Sequence, residues 1–336
     1  MKSPLNVGLV GAGRIGQVHA DTLTYRVPQA RLAGIAEVNP TVAEETATRL
    51  GCPRWTTDPI DLISDPDIDA ILIASPNDTH AALIRASAQA GKAIFCEKPI
   101  DKDLAETDKA LAAVEAAGVP LQLGFQRRYD PAHRETRRLV EEGKLGRVLF
   151  AHSHTRDPAP PPVTIMAASG GVFRDTCVHD FDALRWIVGA EIVEVAAQAS
   201  VGPATAFTSS GEPDVAAIAV RFANGALGHI DAVRGVLYGY DVRTEIIGTQ
   251  ATAMGGYHRD TPLTVFRPEG VTHDHVYWFQ DRFGQAYVEE IRAWVENVLA
   301  GRPVTPTGQD GRQALVLALA AEESVRQDGK AIKVQS

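Results

Sequence analysis

The chain has 336 residues, of which 45% are hydrophobic and 22% are charged, and its formal net charge is -9. This length suits two globular domains, and the acidic balance argues against binding to nucleic acid, which usually requires a basic face. Three widely spaced cysteines without a zinc-type spacing predict a reduced, cytoplasmic protein without structural disulfides. No apolar run approaches the roughly 20 residues that span a bilayer, so no membrane segment is expected.

The first third of the chain predicts a dinucleotide-binding unit. An apolar strand at 6–10 runs into Gly11-Ala12-Gly13-Arg14-Ile15-Gly16, which is followed by a helix at 17–25 and a second strand at 30–36 that ends at Glu37. Gly11 permits a tight turn, Gly13 lets the backbone approach a pyrophosphate, and Gly16 allows close helix–strand packing. Glu37 lies where a carboxylate accepts the ribose 2′-OH and repels a 2′-phosphate, so we expect NAD rather than NADP.

Two more predicted strands end at the same edge of the sheet. The strand at 71–73 leads into Ser75-Pro76-Asn77-Asp78-Thr79-His80, a polar turn in which Ser75, Asn77 and His80 are expected to border the nicotinamide ribose. Helix capping by Asp78 or Thr79 and local packing of His80 are the alternative. The strand at 93–96 leads into Glu97-Lys98-Pro99, and Pro99 biases Lys98 away from helical dihedrals. Because open α/β sheets bind ligands at the carboxyl ends of their strands, Lys98 is predicted to be a cation fixed at a ligand site; a solvated surface lysine is the alternative.

A second group of candidate catalytic residues lies between 170 and 182. Apolar positions keep helical spacing from about Arg174 to Val188, so Asp175 and His179 share one helix face. Asp175 falls in the first turn, where the helix macrodipole favours its ionised form. A carboxylate beside an imidazole raises its basicity and fixes its tautomer, which predicts His179 as a proton acceptor; an acidic helix start beside a packed histidine is the alternative. We expect Asp180 and Asp182 to be solvated or capping charges.

The remaining sequence predicts mostly strands and two long helices. Strands are expected at 192–200, 216–222, 226–233 and 240–247, with a hairpin turn at Asn224-Gly225. Helices are expected at about 285–300 and 310–328. The proline-rich segment 158–162 is expected to be a loop near the substrate or at a subunit contact. No metal site is expected, because His152, His154, His179 and Asp175 form no compact ligand motif.

Gly11 to Gly16, Glu97-Lys98-Pro99 and Asp175-x-x-x-His179 together resemble the Gfo/Idh/MocA oxidoreductase family, and 124–130 with 238–241 resemble its inositol 2-dehydrogenase branch. The resemblance covers nearly the whole chain. It implies an α/β fold with an N-terminal Rossmann domain (1–124), built on a doubly wound parallel sheet. It also implies a C-terminal α+β domain (125–336) with a large open mixed or antiparallel sheet, through which relatives form dimers and tetramers, so a homo-oligomer is expected.

The resemblance also implies roles for individual residues. Lys98, Asp175 and His179 match the catalytic residues, and Glu97 and Lys98 join the predicted cofactor site. The residues near positions that line the polyol or sugar pocket are Arg127, Asp157, Thr176 and Tyr238. Gln126 and the loop at 152–162 depart from the pattern of inositol dehydrogenases.

We therefore expect NAD-dependent oxidation of a secondary hydroxyl on an inositol or sugar ring. His179, oriented by Asp175, removes the hydroxyl proton, and Lys98 stabilises the developing alkoxide without a metal. Three alternatives stay open: a dehydrogenase for an aldose or an anhydrosugar such as levoglucosan, an NAD-dependent glycosidase that retains the hydride, and a non-catalytic NAD- or sugar-sensing protein. The complete set of Lys98, Asp175 and His179 argues against the sensor.

Overall fold

The computed structural model describes residues 4–159, 170–202, 211–256 and 258–334. It divides into two compact units: the first holds the chain up to Gln126 together with 285–313, and the second holds 127–284 and the chain from 314 onward. Within the described ranges, no helix is long and apolar enough to cross a membrane. Most of the predicted proline-rich loop lies outside the described residues.

A six-stranded sheet, in which all strand pairs are parallel, forms the centre of the first unit. Its strands are β1 (Leu5–Val10), β2 (Ala30–Ala36), β3 (Trp55–Thr56), β4 (Ala70–Ile73), β5 (Ala93–Glu97) and β6 (Leu121–Gly124). The strand order is β3-β2-β1-β4-β5-β6, so the direction of winding reverses between β1 and β4. Such a switch point is where open α/β sheets bind ligands. The predicted doubly wound parallel sheet is confirmed.

Four of the described helices begin at a side-chain cap, and several end at glycine. Asn39, Asp58, Asp103 and Asp130 each accept backbone N–H groups of the turn that follows. The helices are α1 (Arg14–Tyr25), α2 (Pro40–Leu50), α3 (Pro59–Ile63), α4 (His80–Gln89), α5 (Leu104–Ala117), α6 (Pro131–Glu141), α7 (Val178–Val188), α8 (Phe279–Ala300) and α9 (Gly308–Arg326), with 3-10 turns at Asn77–Thr79 and Gln126–Tyr129.

The hydrophobic core of the first unit includes residues from far along the chain. Ile291, Trp294 and Val298 of α8 are buried in the same cluster as the apolar side chains of β1 and β2. The rings of Trp294 and Phe95 lie 5.6 Å apart between centroids. The sequence-based boundary at 124/125 is close to the observed one at 126/127. The sequence-based division placed all residues after 124 in the second domain. The structure instead assigns 285–313 to the first unit, because apolar residues of this segment cover the first sheet.

A seven-stranded mixed sheet forms the second unit. Its strands are β7 (Val148–Asp157), β8 (Ile192–Ser200), β9 (Val215–Phe222), β10 (Leu227–Arg234), β11 (Asp241–Gly248), β12 (Thr252–Gly255) and β15 (Ile332–Lys333); β13 (Thr264–Arg267) and β14 (Gly270–His273) form a separate hairpin. The order is β12-β11-β7-β10-β9-β8-β15. Only β7 and β10 pair in parallel among the described strand pairs of this sheet. The predicted large mixed sheet is confirmed.

The helix predicted from about 174 to 188 begins differently from expectation. Val172–Cys177 forms a π-helical segment, and the α-helical part, α7, starts only at Val178. Asp175 therefore lies in a wide π turn that precedes α7, not in the first turn of an α-helix. Gly171 enters this segment at φ 76°, a left-handed conformation suited to glycine.

Candidate active site

The glycine loop after β1 forms a cradle at the switch point of the sheet. Gly11 has φ 92°, and a Cβ there would lie 2.5 Å from the backbone nitrogen of Ser75. A Cβ at Gly16 would lie 2.1 Å from the carbonyl oxygen of Gly11, whereas one at Gly13 would meet no protein atom within 4 Å. The loop is thus packed tightly at both ends and open in the middle. Gly13 precedes α1 without a side-chain cap among the described residues, so the first N–H groups of this helix can bind a pyrophosphate.

The residues that flank this cradle lie at its open side. Arg14 is exposed and Ile15 is half-buried, both in the first turn of α1. Glu37, just after β2, accepts hydrogen bonds from the backbone nitrogens of Ala12 at 2.8 Å and Asn39 at 3.1 Å. These bonds fix the carboxylate against the glycine loop and leave lone pairs for ribose hydroxyls. The cradle and this carboxylate fit a dinucleotide without a 2′-phosphate.

The turn after β4 is tied to the segment after β5 by a buried histidine. His80 Nδ1 lies 2.7 Å from the carbonyl oxygen of Pro99, and Nε2 lies 2.9 Å from that of Ser75. Burial lowers the pKa of His80, although both carbonyls oppose this shift. The ring of His80 therefore links the turn after β4 to the segment after β5. Ser75 and Asn77 remain half-buried at the edge of the sheet.

Lys98 follows the last residue of β5 and is half-buried. Glu97, one residue earlier, is buried, and its Oε1 accepts a hydrogen bond from His19 Nε2 at 2.7 Å. Glu97, the last residue of β5, therefore points into the interior of the first unit. Glu97 thus supports this end of β5 from within the core.

In the second unit, Arg234 joins two of the predicted acidic residues. Its Nη2 donates to Asp175 Oδ2 at 3.2 Å, and its Nε lies 3.9 Å from Asp157 Oδ2. Arg234 is nearly buried, whereas both carboxylates keep a quarter of their side-chain surface exposed. Sequence reasoning missed Arg234. The signal was its inward position on β10, two and four residues after the buried Ala232 and Ile230, because a buried guanidinium requires carboxylate partners.

The other predicted pocket residues of this unit lie on the adjoining segments. Thr176 is buried in the π-helical segment, and His179 is half-buried in the first turn of α7. Tyr238 follows β10 and donates its hydroxyl hydrogen bond to Asp241 Oδ2 at 3.1 Å. Partial burial, together with Asp241, raises the pKa of Tyr238. Tyr238 is thus a neutral hydrogen-bonding group at neutral pH.

Arg127 and its neighbour Arg128 lie in buried ion pairs. Arg127 donates to Asp180 at 2.6 Å and to the hydroxyl of Thr155 at 2.8 Å, and Arg128 donates to Asp182 at 2.9 Å. All four charged side chains are almost completely buried. The expectation that Asp180 and Asp182 are solvated or capping charges is therefore wrong. Each carboxylate faces inward because an arginine after β6 needs a buried counter-charge.

A doubly wound sheet, a glycine cradle at its switch point and an acidic residue at the end of β2 define a dinucleotide-binding protein of the Rossmann class. The chain belongs to the Gfo/Idh/MocA oxidoreductase family. Residues 5–125 match the model for the oxidoreductase family with an NAD-binding Rossmann fold, and residues 133–254 match the model for the GFO/IDH/MocA C-terminal domain.

Known relatives match over nearly the whole chain. Myo-inositol 2-dehydrogenase of Thermotoga maritima is 36% identical over 98% of this chain and 99% of its own length. Inositol 2-dehydrogenase of Rhizobium meliloti is 39% identical, over 95% and 96%. The crystal structure of scyllo-inositol dehydrogenase from Lactobacillus casei with bound NAD(H) and scyllo-inositol is 30% identical and superposes with a TM-score of 0.91 over 99% of both chains. The family, the NAD cofactor and the oxidoreductase class predicted from the sequence are confirmed.

Proposed function

We propose that this NAD-dependent oxidoreductase oxidises a secondary hydroxyl of an inositol, or of a closely related sugar ring, to a ketone. The similarity to inositol and scyllo-inositol dehydrogenases supports this substrate class. The observation that carries the proposal is the position of Lys98. It lies at the carboxyl end of β5, in the sheet whose β1 ends in the glycine cradle, so a cation is held at the ligand-binding edge.

The first unit supplies the residues for NAD. The backbone of the loop from Gly11 to Gly16, including Arg14 and Ile15, would hold the pyrophosphate, and Glu37 would accept the ribose hydroxyls. Ser75 and Asn77 would border the nicotinamide side, with His80 and Glu97 supporting them from the interior. Bound NAD supplies the hydride acceptor.

Side chains carry out proton transfer and bind the substrate. His179 accepts the hydroxyl proton, and Asp175 orients its imidazole. Lys98 donates a hydrogen bond to the same oxygen and stabilises the negative charge that develops on it. Asp157, Thr176 and Tyr238 bind the other ring hydroxyls, and Arg234 holds Asp157 and Asp175 in place. Arg127 supports His179 indirectly, because it pairs with Asp180, the residue that follows His179.

The test is NADH formation by the purified protein with NAD and myo-inositol, scyllo-inositol, D-glucose or levoglucosan. We expect turnover with an inositol, and a decrease in kcat of about 10²- to 10⁴-fold in His179→Ala with an unchanged Kd for NAD. Lys98→Met should behave similarly, and His273→Ala, at an exposed histidine of β14, should retain full turnover. Undiminished turnover in His179→Ala would refute the assignment of the base. Sugar hydrolysis without net NADH would instead indicate a glycosidase.

We further propose that the protein is a homo-oligomer, assembled through the open face of the seven-stranded sheet. Phe150, Leu227 and Ile247 are register neighbours on β7, β10 and β11, so their side chains form one apolar row. Leu227 keeps 44% of its surface exposed, which favours burial against another copy. Light scattering should give a mass of two or four chains for the wild type and a smaller mass for Leu227→Arg. A monomeric wild type would refute this assembly.

We also propose that the protein works in the cytoplasm. Cys52, Cys96 and Cys177 are free thiols, and burial raises the pKa of Cys96 and Cys177 well above the usual value. Thiols of this kind persist in a reducing compartment. Cell fractionation should recover the protein with the cytoplasmic enzymes, and recovery from an oxidising compartment would contradict the proposal.

A further inference from the structure

We propose that His19, Glu97 and Glu290 form a buried cluster that positions Lys98. This inference rests on the proposed catalytic role of Lys98. The three side chains come from α1, β5 and α8, and all three belong to the first unit. One ligand-forming atom from each lies within 4.8 Å of the other two.

The contact between His19 and Glu97 is direct and enclosed. His19 is completely buried, and its Nε2 lies 2.7 Å from Glu97 Oε1. Its ring stands edge-on to Phe95, two residues before Glu97 on the same face of β5, and to Tyr287 of α8. On the other side, a Cβ at Gly124 would lie 2.8 Å from Glu97 Oε2. The carboxylate that precedes Lys98 is therefore held between a histidine and the backbone of β6.

Glu290 completes the cluster as an acid that retains its proton. It is completely buried, and neither of its carboxyl oxygens has a hydrogen-bond partner among the described residues. Two neighbouring buried carboxyl groups cannot both ionise without a large cost. Burial raises the pKa of Glu290 well above its usual value, and the charge of Glu97 adds to the shift. A neutral Glu290 places no second negative charge beside Glu97.

The consequence is that Lys98 is held by the chain on both sides. Glu97 is fixed through its side chain by the cluster, and the carbonyl of Pro99 is fixed by His80 at 2.7 Å. A lysine has four rotatable side-chain bonds, so the placement of its ammonium depends on how firmly its backbone is held. In catalysis, a displacement of about 1 Å can lower the rate by about 10²-fold. His19, Glu97 and Glu290 are thus positioning residues, because they act on the reaction through Lys98.

A double-mutant cycle tests this inference. We expect Glu97→Gln to lower kcat by about 10- to 100-fold, with the KM for the inositol and the Kd for NAD changed by less than about threefold. In the Lys98→Met background, the same substitution should have almost no further effect, because interacting residues are not additive. Glu289→Gln, next to Glu290 on α8 but paired with Arg292 at the surface, is the matched control and should retain wild-type kinetics. Thermal unfolding of each variant checks the fold.

Three results would overturn the inference. An unchanged kcat in Glu97→Gln would show that Glu97 does not position Lys98, and an equal loss in the presence and absence of Lys98 would show general damage. Full turnover in Lys98→Met would instead refute the proposed function itself. Infrared difference spectra test whether Glu290 is protonated. At neutral pH the wild type should show the band of a protonated carboxylic acid, and Glu290→Gln should lack it. Without that band, Glu290 is ionised and the proposed cluster is refuted.

Discussion

Two glycines of the cofactor loop differ in what an added methyl group would meet, so they separate cofactor binding from folding. A Cβ at Gly13 meets no protein atom within 4 Å, and this residue has extended dihedrals, with φ -70° and ψ -168°. A Cβ at Gly16 would lie 2.1 Å from the Gly11 carbonyl oxygen. We therefore predict that Gly13→Ala impairs NAD binding alone, whereas Gly16→Ala impairs both NAD binding and stability.

The magnitudes follow from these contacts. Gly13→Ala reduces the freedom of the unfolded chain without strain, so the free energy of unfolding should stay unchanged or rise by about 0.4–1 kcal/mol. Gly16→Ala gains about 1 kcal/mol of helix propensity. Against this, overpacking costs about 1–3 kcal/mol, and a clash with a backbone carbonyl belongs at the upper end, since α1 itself must move. The expected net loss is about 1–2 kcal/mol.

Thermal unfolding without cofactor and NAD titration by fluorescence measure the two effects separately. Gly13→Ala should have a Tm equal to or above that of the wild type and bind NAD at least about tenfold more weakly, which corresponds to about 1.4 kcal/mol. Gly16→Ala should unfold at a lower temperature. Wild-type NAD affinity in Gly13→Ala would refute the idea that the open centre of the loop receives the pyrophosphate. An equal loss of Tm in both variants would refute the packing argument.

Two further predictions concern the charged groups of the second unit. Asp180→Ala leaves Arg127 buried without its counter-charge and should lower the free energy of unfolding, measured by urea denaturation, by about 3–5 kcal/mol. Asp21→Ala removes one partner of a half-exposed ion pair with Arg49 and should lower the free energy of unfolding by less than about 1 kcal/mol. Similar losses in the two variants would contradict the burial argument. Partial burial alone would raise the pKa of Asp231, but hydrogen bonds from His152 and Arg156 lower it to about 2. The ionised Asp231 therefore stabilises the fold fully above a pH of about 4, and this contribution is lost as the pH falls through about 2. Between these pH values, the free energy of unfolding should fall less in Asp231→Asn than in the wild type.

The sequence was sufficient for the parts of the fold that depend on local pattern. The glycine motif and the apolar runs of β8 to β11 are short-range signals, and each predicted element that lies within the described residues is present with ends shifted by a few residues. The short strands β12 to β15 were not predicted, because strands of two to four residues carry too little periodicity. The π-helical segment was also missed, since its hydrogen bonding depends on the packing around Val172–Cys177 and not on an apolar period.

The buried charges could not be predicted from spacing. Asp180 and Asp182 follow His179 in a polar run that is typical of a solvated helix start, and their arginine partners lie more than fifty residues earlier. Likewise, no local pattern pairs Glu97 with His19 or places Arg234 beside Asp175. These contacts arise from strand order and register, which become visible only when the sheets are assembled.

The contribution of α8 to the first core has a consequence for folding during synthesis. Trp294 emerges from the ribosome roughly 170 residues after Gln126, the end of the continuous N-terminal part of the first unit. At translation rates of about 5–20 residues per second, the apolar face of this sheet stays without α8 for on the order of ten to thirty seconds. The core of the first unit is therefore incomplete until α8 has been synthesised, and a fragment that stops at residue 126 lacks the apolar side chains of α8 that bury its sheet.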